Sequence, residues 1–343
     1  MRPDSQNSLI TRLLQALQLN TIEVVNDEEL EFAISVLYRH VKDAGFFGEG
    51  FTDMHRVVDE KSGLQVQLAP HRKFLPRDSR ANTVNECVLC RPHDHRSRRI
   101  QWRNLYCLPN KYPYLPAEHE HVLILTTEHR PQVFDSDVLR NLIDYQEFAG
   151  RTRPVTLHFN GNAGNSQVHL HWQATHETLP IQSLIDNERL LSTPLYSSKH
   201  GTLASYDHGI FRGFLLEGNR DFLGACAELI VQYLCNDART SFTRDDGEAS
   251  TTYNMVLLQP GKSGSRLLIQ PRRASHLRVA FGKVGRVGVG AFTLGGVFLM
   301  SKPAVPEGFF QQVTEEVRRT TVGVDEFEWV DELLSKVKAI GLR

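Results

Sequence analysis

An excess of charge of either sign is missing from this chain: 39 Lys and Arg stand against 40 Asp and Glu over 343 residues, a formal net charge of −1. That balance argues against bulk nucleic acid as a partner, so an anionic substrate must be met by cations placed locally. Cysteine is scarce as well. There are five, two of them in Cys87-Val88-Leu89-Cys90, too few and too clustered for a disulfide framework. Metal or redox chemistry is the better reading of the pair, while Cys107, Cys226 and Cys235 read as buried thiols. Long apolar runs are absent, and no stretch approaches the roughly 18 residues of a membrane span. The first 20 residues interrupt their leucines with Asp4, Gln6, Asn7, Arg12 and Gln15, which is not the core of a signal peptide. The expectation is a cytoplasmic protein with no membrane partner.

The length leaves one large domain or two ordinary ones equally open. Leu9, Ile10, Leu13, Leu14 and Leu17 fall at helical spacing, and Asn26 with Glu29 resembles a capping box opening a second helix toward Val41. Alternating Leu64, Val66 and Leu68 predict a strand, followed by a basic, Pro-bearing loop over residues 71–77. Strands are then predicted over 105–108, 121–127, 155–160 and 167–175, with one helix over 136–148. A single helix among four strands is an antiparallel α+β order and not a βαβαβ one. A mixed, helical segment is expected over 187–235, strands over 253–258, 266–270 and 287–300, and a closing amphipathic helix near 324–337. The later strands read as a degenerate copy of the earlier ones, with Tyr253-Asn254 and Pro271-Arg272-Arg273 placed as Pro109-Asn110 and Glu128-His129-Arg130 are.

The segment from Asn160 to Gln173, NGNAGNSQVHLHWQ, carries the chemistry. In a strand over 167–175, Gln167, His169, His171, Gln173 and Thr175 share one face while Val168, Leu170, Trp172 and Ala174 share the other. Same-face neighbours lie roughly 6.6 Å apart, so two imidazoles and an amide can line a site of phosphate size. Upstream, small residues permit a tight turn whose N–H groups, with Asn160, Asn165, Ser166 and Gln167, would cradle phosphate oxygens.

His169-Leu170-His171-Trp172-Gln173 resembles the HxHxQ signature of the galactose-1-phosphate uridylyltransferase branch of the histidine-triad superfamily, and the surrounding residues are similar to diadenosine tetraphosphate and GDP-hexose phosphorylases. Leu179-Pro180-Ile181, Asn110-Lys111-Tyr112-Pro113-Tyr114 and the stretch His121 to His129 extend the resemblance over residues 65–182; from Tyr253 to Thr321 it is weaker. It implies an antiparallel sheet with flanking helices and two related halves: an N-terminal helical segment over 1–62, a catalytic half over 63–186, and a second half with the closing helix over 187–343. His171 is then the nucleophile that becomes a nucleotidyl-histidine, and Gln173 is a phosphate hydrogen-bond partner. Gln in place of a third His goes with transfer to a phosphate acceptor, so phosphorolysis outranks hydrolysis. The substrate expected is a nucleotide sugar or dinucleoside polyphosphate, and the acceptor is inorganic phosphate or a phosphorylated molecule. No organic cofactor is implied, and a homodimer is left open. Asn110 belongs to the nucleotide-pocket loop, and Arg72 stands where a phosphate-contacting arginine is found, with Arg77, Arg272 and Arg273 as further candidates.

Cys87 and Cys90 have the spacing of a zinc half-site. Local histidines, His93, His95, His119 and His121, are all available to complete it. The resemblance instead implies His129 and His169, giving a closed, structural four-ligand site.

Overall fold

A computed structural model of the chain describes residues 2–18, 21–47, 54–69, 87, 89–90, 99–111, 113, 115, 119–161, 169–190, 192–243, 249–276, 279–281, 285–287, 289–301 and 304–341. The chain opens with α1 (Pro3–Gln18), β1 (Glu23–Val25), α2 (Leu30–Asp43), β2 (His55–Val58) and β3 (Gln65–Leu68). There follow β4 (Ile100–Trp102), β5 (Leu105–Pro109), β6 (His121–Thr126), α3 (Ser136–Ala149), β7 (Thr156–Asn160), β8 (His171–Thr175) and α4 (Pro180–Asp186). Next come β9 (Ser192–Ser197), β10 (Gly201–His208), β11 (Phe211–Gly218), α5 (Arg220–Asn236), β12 (Ser241–Thr243), β13 (Ala249–Thr251), β14 (Tyr253–Gly261) and β15 (Gly264–Pro271). The chain ends through β16 (Val279–Phe281), β17 (Gly285–Val287), α6 (Ala291–Leu294), β18 (Val297–Met300), α7 (Phe309–Arg319) and α8 (Val330–Gly341).

Eleven strands form one sheet in the order β1-β4-β5-β6-β8-β7-β14-β15-β11-β10-β9, antiparallel except for β1 against β4. The order is a palindrome. β4-β5-β6, a helix, then β7 and β8 give the spatial order β4-β5-β6-β8-β7. β9-β10-β11, a helix, then β14 and β15 give β9-β10-β11-β15-β14, and the two runs join where Asn160, Phe159, His158 and Leu157 pair with Asn254, Met255, Val256 and Leu257. The repeat therefore lies in strand order, but not in the residue correspondences expected from sequence. Tyr253 opens β14, the counterpart of β7, whereas Pro109 closes β5.

Alternation decides what each face carries. Trp172 and Ala174 of β8, Val122 and Ile124 of β6, Leu157 and Phe159 of β7 and Met255 and Leu257 of β14 all turn to one face. There α2, α3, α5 and α8 cover them with Leu37, Leu142, Ile230 and Leu333 among others, all buried. Each such large side chain contributes about 1.5–3 kcal/mol on burial, and a one-residue slip would expose the whole set. That apolar face fixes His171, Gln173 and Thr175 on the opposite side. There a second apolar layer, Val66 of β3 with Phe292, Leu294 and Phe298, packs on Val256, Leu258 and Leu268. At β7 apolar residues give way to His158, whose ring meets Phe292 edge-on at 5.2 Å between centroids.

Helix starts follow local chemistry. Asn26 Oδ1 accepts from the Glu28 and Glu29 N–H groups while Glu29 Oε2 accepts from Asn26 N–H, the reciprocal pair expected from the sequence. Asp135 caps α3 through the N–H groups of Asp137 and Val138.

Two of the expected stretches of secondary structure come out differently. Over 187–235 the chain makes three strands before its one helix, because the two-residue loop Gly209-Ile210 closes a hairpin between β10 and β11, with Gly209 at φ 59°. Over 287–300 the run is broken into β17, α6 and β18. Gly296 sits at φ 100°, and a Cβ there would meet Pro180 Cβ at 2.7 Å, so the chain turns where a continuous strand was expected. Cys107 and Cys226 are buried as expected, but Cys235 is exposed. No described helix is long and apolar enough to cross a membrane.

Candidate active site

The strand predicted over 167–175 is shorter: β8 starts at His171, and His169 forms only an isolated bridge with Pro131. Proline has no N–H to continue a ladder, so residue 169 leaves the regular pleat and its ring goes to a different cluster from that of His171. Residues 171, 173 and 175 keep the expected shared face.

His171 is 5% exposed and sits where β7 and β8 part. Their ladder covers only Thr156 to His158 against Gln173 to Thr175. Beyond it, the buried side chain of Gln132 bridges the gap. Its Oε1 accepts from His171 N–H at 2.8 Å, and its Nε2 donates to the carbonyls of Asn160 at 2.9 Å and His171 at 3.0 Å. Nothing in the sequence singled out Gln132, a lone amide between Pro131 and Val133 with no motif around it.

The imidazole of His171 has a defined tautomer. Nδ1 lies 2.8 Å from the carbonyl oxygen of His169. A carbonyl only accepts, so Nδ1 carries the proton and Nε2 keeps its lone pair. Burial lowers the pKa of His171, opposed by the bond to the His169 carbonyl, and this favours the neutral ring. Among the described residues Nε2 makes no hydrogen bond. A neutral imidazole with one nitrogen held by the main chain and the other uncommitted is a competent nucleophile near neutral pH.

Gln173 lies one pleat along, its Oε1 3.0 Å from His121 Nε2, which is also 3.1 Å from Asn110 Nδ2. One ring nitrogen serves one role at a time. Protonated, it donates to Gln173 and turns that amide's NH2 away; unprotonated, it accepts from Asn110. His121, offered by the sequence only as a rival metal ligand, thus belongs to the HxHxQ face. Asn110 continues β5, its N–H donating to the His121 carbonyl at 2.8 Å. His158, opposite Gln173, is buried and its pKa is pushed down to about 3 by desolvation; its Nε2 meets Thr175 Oγ1 at 3.1 Å.

Cys87, Cys90, His129 and His169 come together with their ligand atoms all within 4.8 Å of one another. Cys90 Sγ is 3.1 Å from His169 Nδ1 and 3.2 Å from His129 Nδ1, and Cys87 Sγ is 3.8 Å from His169 Nδ1. A tetrahedral zinc with ordinary Zn–S and Zn–N bonds places such atoms about 3.6 Å apart, so the donor set fits that ion in chemistry and spacing. His169 Nε2 lies 3.1 Å from the Thr126 carbonyl, which makes Nε2 the donor and leaves Nδ1 free to ligate. Burial lowers the pKa of His169 to about 4, with the neighbouring His129 adding to it, so the ring is neutral as a ligand must be. Burial and the adjacent Cys87 push the Cys90 thiol up to about 12, so two thiolates side by side here require a cation. These four residues could hold a metal such as zinc. His119 lies instead 3.5 Å from Glu177.

Arg72, Arg77, Asn165, Ser166, Gln167, His93 and His95 lie outside the described residues. Asn160, at the end of β7, is nearly buried, and its Oδ1 accepts from Ala291 N–H at 2.6 Å. Arg273 is committed to Glu326 at 2.6 Å. Arg272 is fully buried, and desolvation lowers its pKa to about 10, which leaves it charged at neutral pH.

No protein-family model matches the sequence, and no curated protein matches it. Solved structures do match. The crystal structure of the yeast Ap4A phosphorylase Apa2 in complex with Ap4A aligns over 88% of this chain and 97% of its own, with 17% identity and a TM-score of 0.54. The same yeast enzyme in complex with AMP aligns over 87% and 97%, with 19% identity and a TM-score of 0.51. This chain shares the fold of the yeast Ap4A phosphorylase. The likeness agrees with the histidine-triad resemblance carried by His169 to Gln173.

Proposed function

We infer that the chain is a nucleotidyltransferase of phosphorylase type. It takes a nucleoside monophosphate from a dinucleoside polyphosphate or nucleotide sugar onto His171 and passes it to inorganic phosphate or a phosphorylated acceptor. The observation that carries this reading is the fixed tautomer of His171, with Nδ1 donating to the His169 carbonyl and Nε2 making no hydrogen bond among the described residues. Support comes from a fold shared with an enzyme crystallised with Ap4A and with AMP.

In the first step the Nε2 lone pair attacks the α-phosphorus, the N–P bond forms, and the bond to the departing polyphosphate or sugar phosphate oxygen breaks. The ring, now cationic, keeps its Nδ1 proton against the His169 carbonyl, which opposes the new charge. In the second step an acceptor phosphate oxygen attacks phosphorus, the N–P bond breaks, and neutral imidazole returns. Gln173 and Asn160 bind phosphate oxygens as neutral donors; Gln173, unlike a third imidazole, brings no proton for a leaving group. A zinc on Cys87, Cys90, His129 and His169 would be structural, since four protein ligands leave no open position. By tying His169 to the two cysteines it would hold in place the carbonyl that orients His171.

Intact-mass spectrometry after incubation with Ap4A and a panel of nucleotide sugars tests the reading. Wild type is expected to gain one nucleotide, His171→Ala to gain none while keeping its melting temperature, and product release to require added phosphate. Turnover by His171→Ala removes the covalent role. Turnover of wild type at full rate without phosphate makes the enzyme a hydrolase instead.

A further inference from the structure

We propose that Asn254, contributed by the second run of strands, is a phosphate-binding residue whose side-chain NH2 donates to an oxygen of the phosphoryl group taken up by His171; the proposal rests on the reading of His171 above. Asn254 is the register partner of Asn160 across β14 and β7, and Gln132 ties the Asn160 carbonyl to the His171 backbone. The three residues thus stand side by side on one sheet face.

Both asparagines are oriented by backbone donors. Ala291 N–H donates to Asn160 Oδ1, and Gly161 N–H, shared with the Tyr253 carbonyl, reaches Asn254 Oδ1 at 3.3 Å. An N–H can face only the oxygen of an amide, so the two NH2 groups are left for something else. Gly161 itself cannot carry a side chain, because a Cβ there would lie 2.2 Å from the Tyr253 carbonyl oxygen. Asn254 is fully buried, yet among the described residues its Nδ2 has no hydrogen-bond partner. Leaving such a donor unmet costs stability, which a structural amide would avoid by pairing.

The surroundings select an anion as the missing acceptor. β7, β8, β14 and β15 contain no aspartate or glutamate on either face, and the charged Arg272 directly follows β15, whose Gln270 pairs with Asn254. A buried donor with no partner among the described residues, on strands that carry no carboxylate and on the sheet face of His171, is placed as an oxyanion donor is.

Asn254→Asp separates the roles, since the carboxylate still accepts from Gly161 N–H but replaces the donor with a repelling charge. Asn254→Ala removes the donor without adding charge. The readouts are melting temperature, AMP binding by calorimetry, and the single-turnover rate of His171 nucleotidylation from Ap4A. The expected result is a fall of at least 10-fold in AMP binding and nucleotidylation for Asn254→Ala with its melting temperature close to wild type, as when one oxyanion donor is removed, and a fall of about 100-fold or more for Asn254→Asp, whose buried charge also lowers the melting temperature. Wild-type AMP affinity and rate in Asn254→Ala overturn the proposal, as does a loss of binding that only accompanies a fall in melting temperature in both variants. Wild type that binds AMP but forms no adduct sinks the covalent reading alone, and the AMP affinity of the variants then decides the role of Asn254. Wild type that binds neither AMP nor Ap4A overturns both.

Discussion

Replacing Gln132 by methionine keeps the volume of the side chain and removes three hydrogen bonds at once. His171 N–H loses its acceptor and is left buried, at a cost of about 1–3 kcal/mol. The carbonyls of Asn160 and His171 each lose one donor but retain a second lone pair for other partners, so their share is smaller. A total near 2–4 kcal/mol follows. With an unfolding entropy of about 2.1 cal/mol/K per residue over 343 residues, that corresponds to a fall in melting temperature of roughly 3–6 °C. The effect on chemistry is expected to be larger than this. The amide of Gln132 is what sets the start of β8 relative to the end of β7, and a displacement of about 1 Å at a nucleophile costs on the order of 100-fold in rate. Gln132→Glu refines the test, because it keeps the acceptor for His171 N–H but turns a carboxylate oxygen toward two carbonyls. Scanning calorimetry and the single-turnover appearance of the His171 adduct are the assays. A Gln132→Met protein that melts within about 1 °C of wild type and forms adduct at the wild-type rate would refute the claim that this side chain positions the nucleophile.

Two further outcomes follow from the buried histidines and thiols. Elemental analysis of freshly purified protein is expected to find one zinc per chain, and Cys87→Ser to lower both occupancy and melting temperature; full occupancy in the variant would exclude Cys87 as a ligand. His158 has a folded pKa of about 3 against 6.5 unfolded, so the unfolded chain binds the extra proton between those values and stability is lost as pH falls through that window. Urea unfolding at pH 7 and pH 5 should show wild type losing about 2 kcal/mol more than His158→Gln, and equal losses would mean that His158 is not held neutral by the fold.

Local signals in the sequence were enough for the elements that carry their own chemistry. The capping box at Asn26 and Glu29, the alternation of Trp172 and Ala174 against His171 and Gln173, and the helix over 136–148 each depend on neighbours a few residues away, and each is present. Cys87, Cys90, His129 and His169 also meet, although composition alone left His93, His95, His119 and His121 as rivals. What escaped notice depends on contacts distant in sequence. Gln132 acts 39 residues from His171, His121 meets Gln173 across a strand pair, and Asn254 reaches Asn160 only because β7 and β14 happen to join the two runs. The hairpin of β10 and β11 reads as mixed, helical sequence because Leu203, Leu215 and Leu216 suit either period, and Gly209 marks the turn.

The palindromic sheet raises the question of why one run carries the proposed nucleophile and the other does not. On the shared face β8 offers His171, Gln173 and Thr175, whereas β15 offers Arg266, Leu268 and Gln270, none of which can attack phosphorus. Leu268 instead packs under Phe292 and Phe298, and Arg266 is neutralised by Asp186 and Glu217. The second run has thus given its face to an apolar layer, and that layer ends at His158 and Phe292, at the edge of the polar residues of β7 and β8. Burial favours the neutral ring of His171, while the positions nearest the join, Asn160 and Asn254, stay polar. The second run, with no histidine on β14 or β15, contributes instead an apolar layer beside the polar residues of β7 and β8.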